Sequence, residues 1–427
     1  MLIRLFLRFA ALGLKFGLAI VVARTLGFDA VAAYGLAVAA SVIASKVLGL
    51  GFSTELNRRL SAHDPLRAIG DARALCGAYS GLYLLLALAL GTATLLGATI
   101  DLAGLPAYLP WCVLLVALSE HAAFEANSWM FSLHRPRAAS LLLFVRTGAW
   151  AGLASAGLLA GMLRSIEAVF ALWFASNALV VVLSWRGIAA IARRARRDAL
   201  PARTPERRSL LAIWRRGLPF YLAAVLLSML QYAERFIAGS LTSADVLGRY
   251  VFAWSIANAV QTIAFATVAA TAGPAFVRTL ADDPHGFRAQ LRRALIASAA
   301  LTMLAAAAIL IMRGEVFRLA HEPAGPREVA VLAVLLASFA LRAVADVLWT
   351  AMIALRAGIA VMVSMAAVAA VCMPAAWGLI GRFGIVGAAL AHLTASIGIV
   401  AALALIVARR TAHGRAVTSR EEATHAA

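Results

Sequence analysis

Long apolar runs alternate with short polar breaks along the whole chain. A hydrocarbon layer about 30 Å thick is crossed by roughly 20 apolar residues in a helix. Runs of that length fall at 5–23, 30–52, 74–99, 108–133, 138–163, 167–185, 217–240, 249–272, 294–312, 329–355, 357–380 and 384–408. The pattern predicts an all-α integral membrane protein of about twelve transmembrane helices. The first run follows Arg4 as a signal peptide would, but Arg8 and Lys15 interrupt it and no small-residue cleavage site precedes the next element. It is expected to be a retained first helix.

The longest connection, 186–216, contains RRARRDALPARTPERR with Pro201 and Pro205, a linker by composition. It divides the chain into an N-terminal six-helix bundle (1–185), a basic cytoplasmic linker (186–216), a C-terminal six-helix bundle (217–408) and a tail (409–427). An even number of spans starts both halves from the same side, so a repeat relating them would be parallel, about a pseudo-twofold axis along the membrane normal. One trace of it is readable. ARTLGFDAVAAYGLAVAAS (23–41) and AGSLTSADVLGRYVFAWSI (238–256) each carry a small polar turn, an Asp (Asp29, Asp245) and, five residues on, a Tyr (Tyr34, Tyr250).

Several spans are interrupted by polar groups. The fourth contains SEHAAFEANSWM (119–130), and at about 100° per residue Asn127, Glu120, Ser128, His121 and Glu125 share an arc of about 160°. In the seventh span Ser228, Gln231, Glu234 and Arg235 share about 120°, as do Ser255, Asn258, Gln261 and Thr262 in the eighth. Such faces must meet something wetter than lipid. Ionisable groups inside the membrane are costly and normally face a partner or a watery path. Here they are Lys15, Lys46, Arg146, Arg235 and Arg342 against Glu120, Glu125, Glu234 and Asp346.

Arg342 and Asp346, four apart, suit a pair on one helix, and Lys46 stands near a helix end from which it can snorkel. Lys15 and Arg146 have no acid within four residues on their own helix. His121 and Glu125 have the spacing of a metal pair, but no second histidine or thiolate in the span completes a ligand set. Glu120 and Glu125 therefore stand as proton-titrating groups, as polar wall or as partners in structural pairs. No metal and no cofactor is expected.

Composition changes this picture in one respect. The chain of 427 residues has a mean hydropathy of +0.88, as a membrane protein should, and a net charge of +19. That charge is an orientation signal, not a nucleic-acid footprint. With the N-terminus inside, 27 arginines fall in cytoplasmic segments and seven in outer loops. Both termini are thus expected in the cytoplasm, with anionic lipid contact at the arginine-rich linker. Thirty-seven arginines against two lysines hint at a high-GC bacterial genome, and Cys76, Cys112 and Cys372 lie within spans in no disulfide or metal pattern. No Gly-rich nucleotide loop is present.

With these faces in hand, the sequence resembles the bacterial polysaccharide flippases. These are the O-antigen and exopolysaccharide lipid-carrier exporters of the superfamily that also holds multidrug extruders and the lipid II flippase. The likeness spans 5–408 and rests on GLKFGLAIVVARTLGFDAVAAYGLAVAASVIASKVLGLGFSTELNRRL near the start. It also rests on the stretch opening at Gly217-Leu218-Pro219, with the Glu234-Arg235 pair, the short turn, Tyr250, and Pro274 after the helix. The resemblance implies alternating access between two bundles and a cationic central cavity for an undecaprenyl-pyrophosphate oligosaccharide in the inner membrane. Lys15, Lys46, Arg146, Arg235 and Arg342 would bind the diphosphate. Glu120, His121, Glu125, Asn127, Gln231, Glu234, Asn258, Gln261 and Asp346 would line the cavity or couple transport to an ion.

Partners would be the lipid-linked oligosaccharide, membrane lipids and glycan polymerase or assembly proteins, with no nucleic acid. Twelve spans instead of fourteen argue against lipid II. A cation-coupled multidrug extruder is one alternative, though five cations to four acids suit it poorly. A membrane-embedded glycan polymerase or ligase is another, and its acid–base groups would be Glu315, His321 and Glu322 in the short outer loop.

Overall fold

A computed structural model of the protein describes residues 2–61, 66–98, 104–198, 210–282, 286–321 and 325–425. It is helical throughout, with no strand among the described residues. The elements are α1 (Leu2–Leu26), α2 (Phe28–Val47), α3 (Ser53–Leu60), α4 (Leu66–Leu95), α5 (Leu109–Ser132), α6 (Pro136–Phe144), α7 (Trp150–Leu159) and α8 (Ile166–Asp198). They continue with α9 (Leu210–Leu241), α10 (Ala244–Ala264), α11 (Ala270–Asp282), α12 (Gly286–Ile311), α13 (Arg313–Leu319), α14 (Pro326–Ala354) and α15 (Gly358–His425). Single π-helical turns at Val145–Ala149 and Phe265–Ala269 join α6 to α7 and α10 to α11.

Eleven of the resulting helical segments are long and apolar enough to cross a membrane. The expected twelfth lies inside α15. Gly384 has φ +56° and ψ −131°, outside the helical region, and a Cβ on Gly398 would stand 3.1 Å from the side chain of Val368. A straight helix would hold residues 368 and 398 about 45 Å apart. The 53-residue apolar stretch Gly358–Arg410 is therefore a helical hairpin, two spans turned at a glycine that alone tolerates the backbone.

Other span ends differ from the expectation, some by a few residues and some by more: α4 starts at Leu66 and not at 74, and α8 runs on to Asp198 beyond the expected 185. Gly27, with φ +86°, reverses the chain between α1 and α2. The second helix stops at Val47, not at residue 52, because Leu50 and Gly51 adopt positive φ and turn the chain into the short α3. Pro274, expected beyond the eighth helix, lies within α11. The π turn at Phe265–Ala269 just before it belongs to the same continuous run. Of the 186–216 linker, the part up to Asp198 continues α8 and the part from Leu210 begins α9, while Pro201 and Pro205 lie outside the described residues.

Two compact units emerge, Met1–Tyr221 with Thr242–Phe252, and Leu222–Leu241 with Ala253–Ala427. The starts of α9 and α10 thus belong with the first unit, and their contacts explain why. Trp214 and Tyr221 donate to the Leu50 and Val47 carbonyls at 2.7 Å each, in the turn that ends α2, where Val47 also accepts from the Leu50 N–H. Phe28 meets Phe252 edge-on at 6.0 Å, the Arg249 guanidinium lies 4.8 Å over the Phe28 ring, and Gly248 admits the Phe28 backbone. Gly35 packs on Val251, its match when Tyr34 and Tyr250 are aligned.

In the first unit α1 lies against the turn after α6 because Gly148 and Gly152 leave room for Ala11 and Leu14. The interior holds the stacked Trp150 and Trp173 rings, 4.7 Å apart, and the edge-on Trp129 and Trp185. Leu84, Leu85 and Leu88 on α4, and Ile296, Met303 and Leu304 on α12, are exposed apolar side chains. They are the lipid-facing surface of a membrane protein.

Candidate functional site

The polar groups collect into one cluster in each unit. In the first, the π turn presents Arg146. A π turn shifts the backbone hydrogen-bond register and strands carbonyls. Here side chains take them up: Ser176 donates to the Val145 carbonyl and Trp150 Nε1 to the Arg146 carbonyl, both at 2.8 Å. With its backbone fixed, Arg146 reaches α5 and donates Nη1 to Glu120 Oε1 at 2.9 Å, while Trp173 Nε1 on α8 donates to Glu120 Oε2 at 3.0 Å. The acid missing from the helix of Arg146 thus comes from its neighbour.

Aromatic rings carry the remaining charges. Lys15 Nζ stands 5.5 Å over the Trp173 ring. Phe124 receives two cations, Lys46 at 5.8 Å and Arg146 at 5.3 Å. A cation over a ring face gains on the order of 1 kcal/mol, more when water is excluded. Lys15, Lys46 and Arg146 are therefore held within one connected group, on Phe124 and on the tryptophan that binds Glu120. Tyr34, buried, adds its ring at 6.2 Å from Trp173.

His121 and Glu125 go separate ways. His121 Nδ1 shares a hydrogen bond of 2.5 Å with the Tyr83 hydroxyl and meets the Tyr79 ring edge-on at 4.7 Å. Glu125 Oε1 accepts from the Ser53 hydroxyl at 2.5 Å, and Lys46 is its neighbouring cation. Asn127 is buried on the same helix, and no hydrogen-bond partner for its Oδ1 occurs among the described residues. Ser128 accepts from Asn57, which in turn accepts from Ser132, so the C-terminal end of α5 is tied to α3.

In the second unit the polar faces expected on the seventh and eighth spans meet each other. Gln231 Nε2 donates to Gln261 Oε1 at 3.3 Å, and Gln261 Nε2 donates to Asp346 at 2.9 Å. The Asn258 carbonyl accepts from Thr262. Arg342 and Asp346 do not form the expected ion pair. Arg342 donates Nε to Ser396 and Nη2 to the Leu230 carbonyl, both at 2.9 Å, so its geometry is spent on α15 and α9. Ser338 links His392 Nδ1 at 2.6 Å to Ser396 at 2.8 Å. The Arg235 guanidinium lies 3.7 Å from the centre of the Trp254 ring and 5.2 Å from Tyr232, with Phe339 edge-on behind the tryptophan. Glu234 and Arg235 are both buried.

The charged positions were legible, but their connectors were not. Trp173, Phe124 and Trp254 read in sequence as ordinary apolar filler. Ser338, Arg342 and Asp346 recur at every fourth residue, and His392 and Ser396 do the same, so these two stripes carried a helical-face signal. Of the residues considered for a membrane enzyme, Glu315 pairs with Arg318 three residues on, both exposed, and Glu322 lies outside the described residues.

Comparison with known proteins agrees with this architecture. A structure titled as the inward-facing conformation of a multidrug resistance MATE family transporter of the MOP superfamily aligns with TM-score 0.73 at 14% identity, over 96% of this chain and 99% of that one. The lipid II flippase MurJ in an inward closed conformation aligns with TM-score 0.69 at 10% identity, over 95% and 87%. An outward-facing MATE structure gives 0.60 at 15% identity, over 97% and 96%. At these identities the likeness is one of fold. No curated protein sequence matches the chain. A family model described as "Polysaccharide biosynthesis protein" matches residues 2–280, well over half of the chain. This multi-pass membrane protein, with the fold of the MOP-superfamily transporters, therefore belongs to that polysaccharide biosynthesis family.

Proposed function

We propose that the protein is a flippase that carries an undecaprenyl-diphosphate-linked oligosaccharide across the bacterial inner membrane, both termini lying in the cytoplasm. The observation that carries this reading is the grouping of Lys15, Lys46 and Arg146 on Phe124 and Trp173. With Glu120 and Glu125 beside them, the cations outnumber the acids, which suits a ligand of two phosphates. Charge-assisted contacts from ammonium and guanidinium groups are among the stronger hydrogen bonds, and Arg can meet phosphate bidentately. Arg235 and Arg342 supply the positive charge of the second unit, and the remaining polar residues form the wall. The glycan would extend beyond the charged cluster while the polyprenyl tail stays in lipid.

A multidrug reading is supported by the MATE likeness in fold alone. An organic cation would need an open aromatic box, whereas the box of Tyr232 and Trp254 already holds the guanidinium of Arg235. The test is export of lipid-linked glycan in cells that depend on this protein. Arg146→Ala and Arg235→Ala, at matched membrane levels, should each abolish most export. Undiminished export in both would remove the cationic path, and a drug-resistance phenotype in its place would favour the extruder.

A further inference from the structure

Glu120 and Glu125, five residues apart on α5, have different surroundings. Both oxygens of Glu120 are held, by Arg146 at 2.9 Å and by Trp173 at 3.0 Å. Glu125 is buried and takes one hydrogen bond, from Ser53 of α3. The groups facing it are Lys46 from α2, Tyr79 and Tyr83 from α4, and Trp129 one turn along its own helix. Behind the tyrosines stand Cys76 on α4, Tyr221 at the start of α9, and His121, whose Nδ1 bonds Tyr83 and whose Nε2 has no partner among the described residues. The polar contacts that α8 makes with α5 go to Glu120 and to Ser119 instead. Among the described residues the cation facing Glu125 is thus Lys46, and Lys46 is also the cation that shares the Phe124 ring with Arg146.

We propose that Glu125 is the proton-binding site of the transporter and that its carboxylate competes with the substrate diphosphate for Lys46. This rests on the diphosphate reading above. When Glu125 is ionised, Lys46 serves as its counter-charge, as a carboxylate in a low-dielectric site requires. A proton arriving from water adds to a Glu125 oxygen and gives the neutral acid. Lys46 is then released from Glu125 and becomes available, beside Arg146, to the phosphates. Glu120 keeps its hydrogen bonds to Arg146 and Trp173. Binding of one diphosphate then takes up one proton, and release of the proton returns Lys46 to Glu125 and expels the ligand. Lys46 suits this exchange because a single ammonium on a flexible stem can move between partners, whereas the Arg342 guanidinium is fixed by Ser396 and the Leu230 carbonyl.

Purified full-length protein tests the proposal with a short-chain prenyl diphospho-sugar, a diester whose phosphates keep a fixed charge near neutral pH. Wild-type affinity should tighten about tenfold for each unit that pH falls through the titration of Glu125, since one proton is linked to binding. Glu125→Gln should make affinity independent of pH, and Glu125→Asp should restore the dependence. Lys46→Gln should bind weakly at every pH, while Glu120→Gln should retain the slope. Independently of ligand, pH-difference infrared spectra should contain a protonated-carboxyl band that Glu125→Gln removes. A flat wild-type profile with intact binding, or a slope that survives in Glu125→Gln, would overturn the coupling alone. Absence of diester binding at every pH would overturn the diphosphate reading as well, and the infrared band would still report whether Glu125 titrates.

Discussion

The most informative contact is the one between Arg146 and Glu120, whose side chains are only 10% and 14% exposed. A buried ion pair is weak evidence of stability by itself, but removing one partner strands the other charge at a cost of about 3–5 kcal/mol. Glu120→Gln should therefore lower the thermal midpoint of the detergent-solubilised protein sharply. Glu120→Gln combined with Arg146→Gln should recover much of the loss, because neutral amides leave no buried charge. A double-mutant cycle that showed no coupling would mean the pair is not formed in solution. Trp173 gives a finer test. Replacing it by Phe keeps a ring beneath Lys15 and a partner for Trp150, but removes the N–H that Glu120 accepts. A hydrogen bond to a charged group is worth about 1.5–3 kcal/mol. Trp173→Phe should destabilise by roughly that amount, and Trp173→Leu by more, since cation–π and stacking contacts go with the ring.

At the scale of elements, glycines decide how closely helices approach, and two of them separate packing from propensity. A Cβ on Gly148 would lie 2.5 Å from the Ala11 Cα, and Gly148 belongs to the π turn that carries Arg146. Gly148→Ala should cost about 1–3 kcal/mol as α1 is pushed away, and it should impair function further by shifting Arg146. Gly13, on α1, has nothing within 4 Å of the same added atom. Gly13→Ala should be neutral or stabilise by up to about 1 kcal/mol, since helical Ala is preferred over Gly. Equal thermal shifts for the two variants would refute this account of the α1 contact. Much of the element plan was legible because hydrophobic length is a strong signal: α5, α6 with α7, and α14 begin and end within a few residues of the apolar runs. What the sequence could not reveal is set by single backbone torsions and by tertiary contacts. The π turn at Val145–Ala149 leaves no mark on hydropathy. The assignment of Trp214 and Tyr221 to the first unit depends on two carbonyls at the end of α2. The partner of Arg146 was hidden for the same reason, since helical spacing reports neighbours on one helix and is silent about the next.

At the scale of the molecule, topology turns on Gly384. Eleven segments qualify as membrane spans, and an odd number of crossings would put the two termini on opposite sides. The folding of α15 on itself makes the crossings twelve, the even number that the proposed topology, with both termini in the cytoplasm, requires. The arginines agree, since Arg409, Arg410, Arg415 and Arg420 follow the last span as Arg4 and Arg8 precede the first crossing. A fluorescent protein that matures only in the cytoplasm should therefore glow when fused after Ala427. Alkaline phosphatase, active only outside, should be active when fused at Gly314 or at Arg382, next to the Gly384 turn. The Arg382 fusion is the decisive one, because a straight Gly358–Arg410 segment would bury that position at mid-membrane and present no folded enzyme to either side. Gly384→Val would strain the positive-φ turn, at about 1–2 kcal/mol for a β-carbon in the left-handed region. It should lower the yield of correctly inserted protein without moving the reporter at Gly314. A silent Arg382 fusion with an active one at Gly314 would show α15 to be a single crossing, and the paired-span plan of the second half would fall with it.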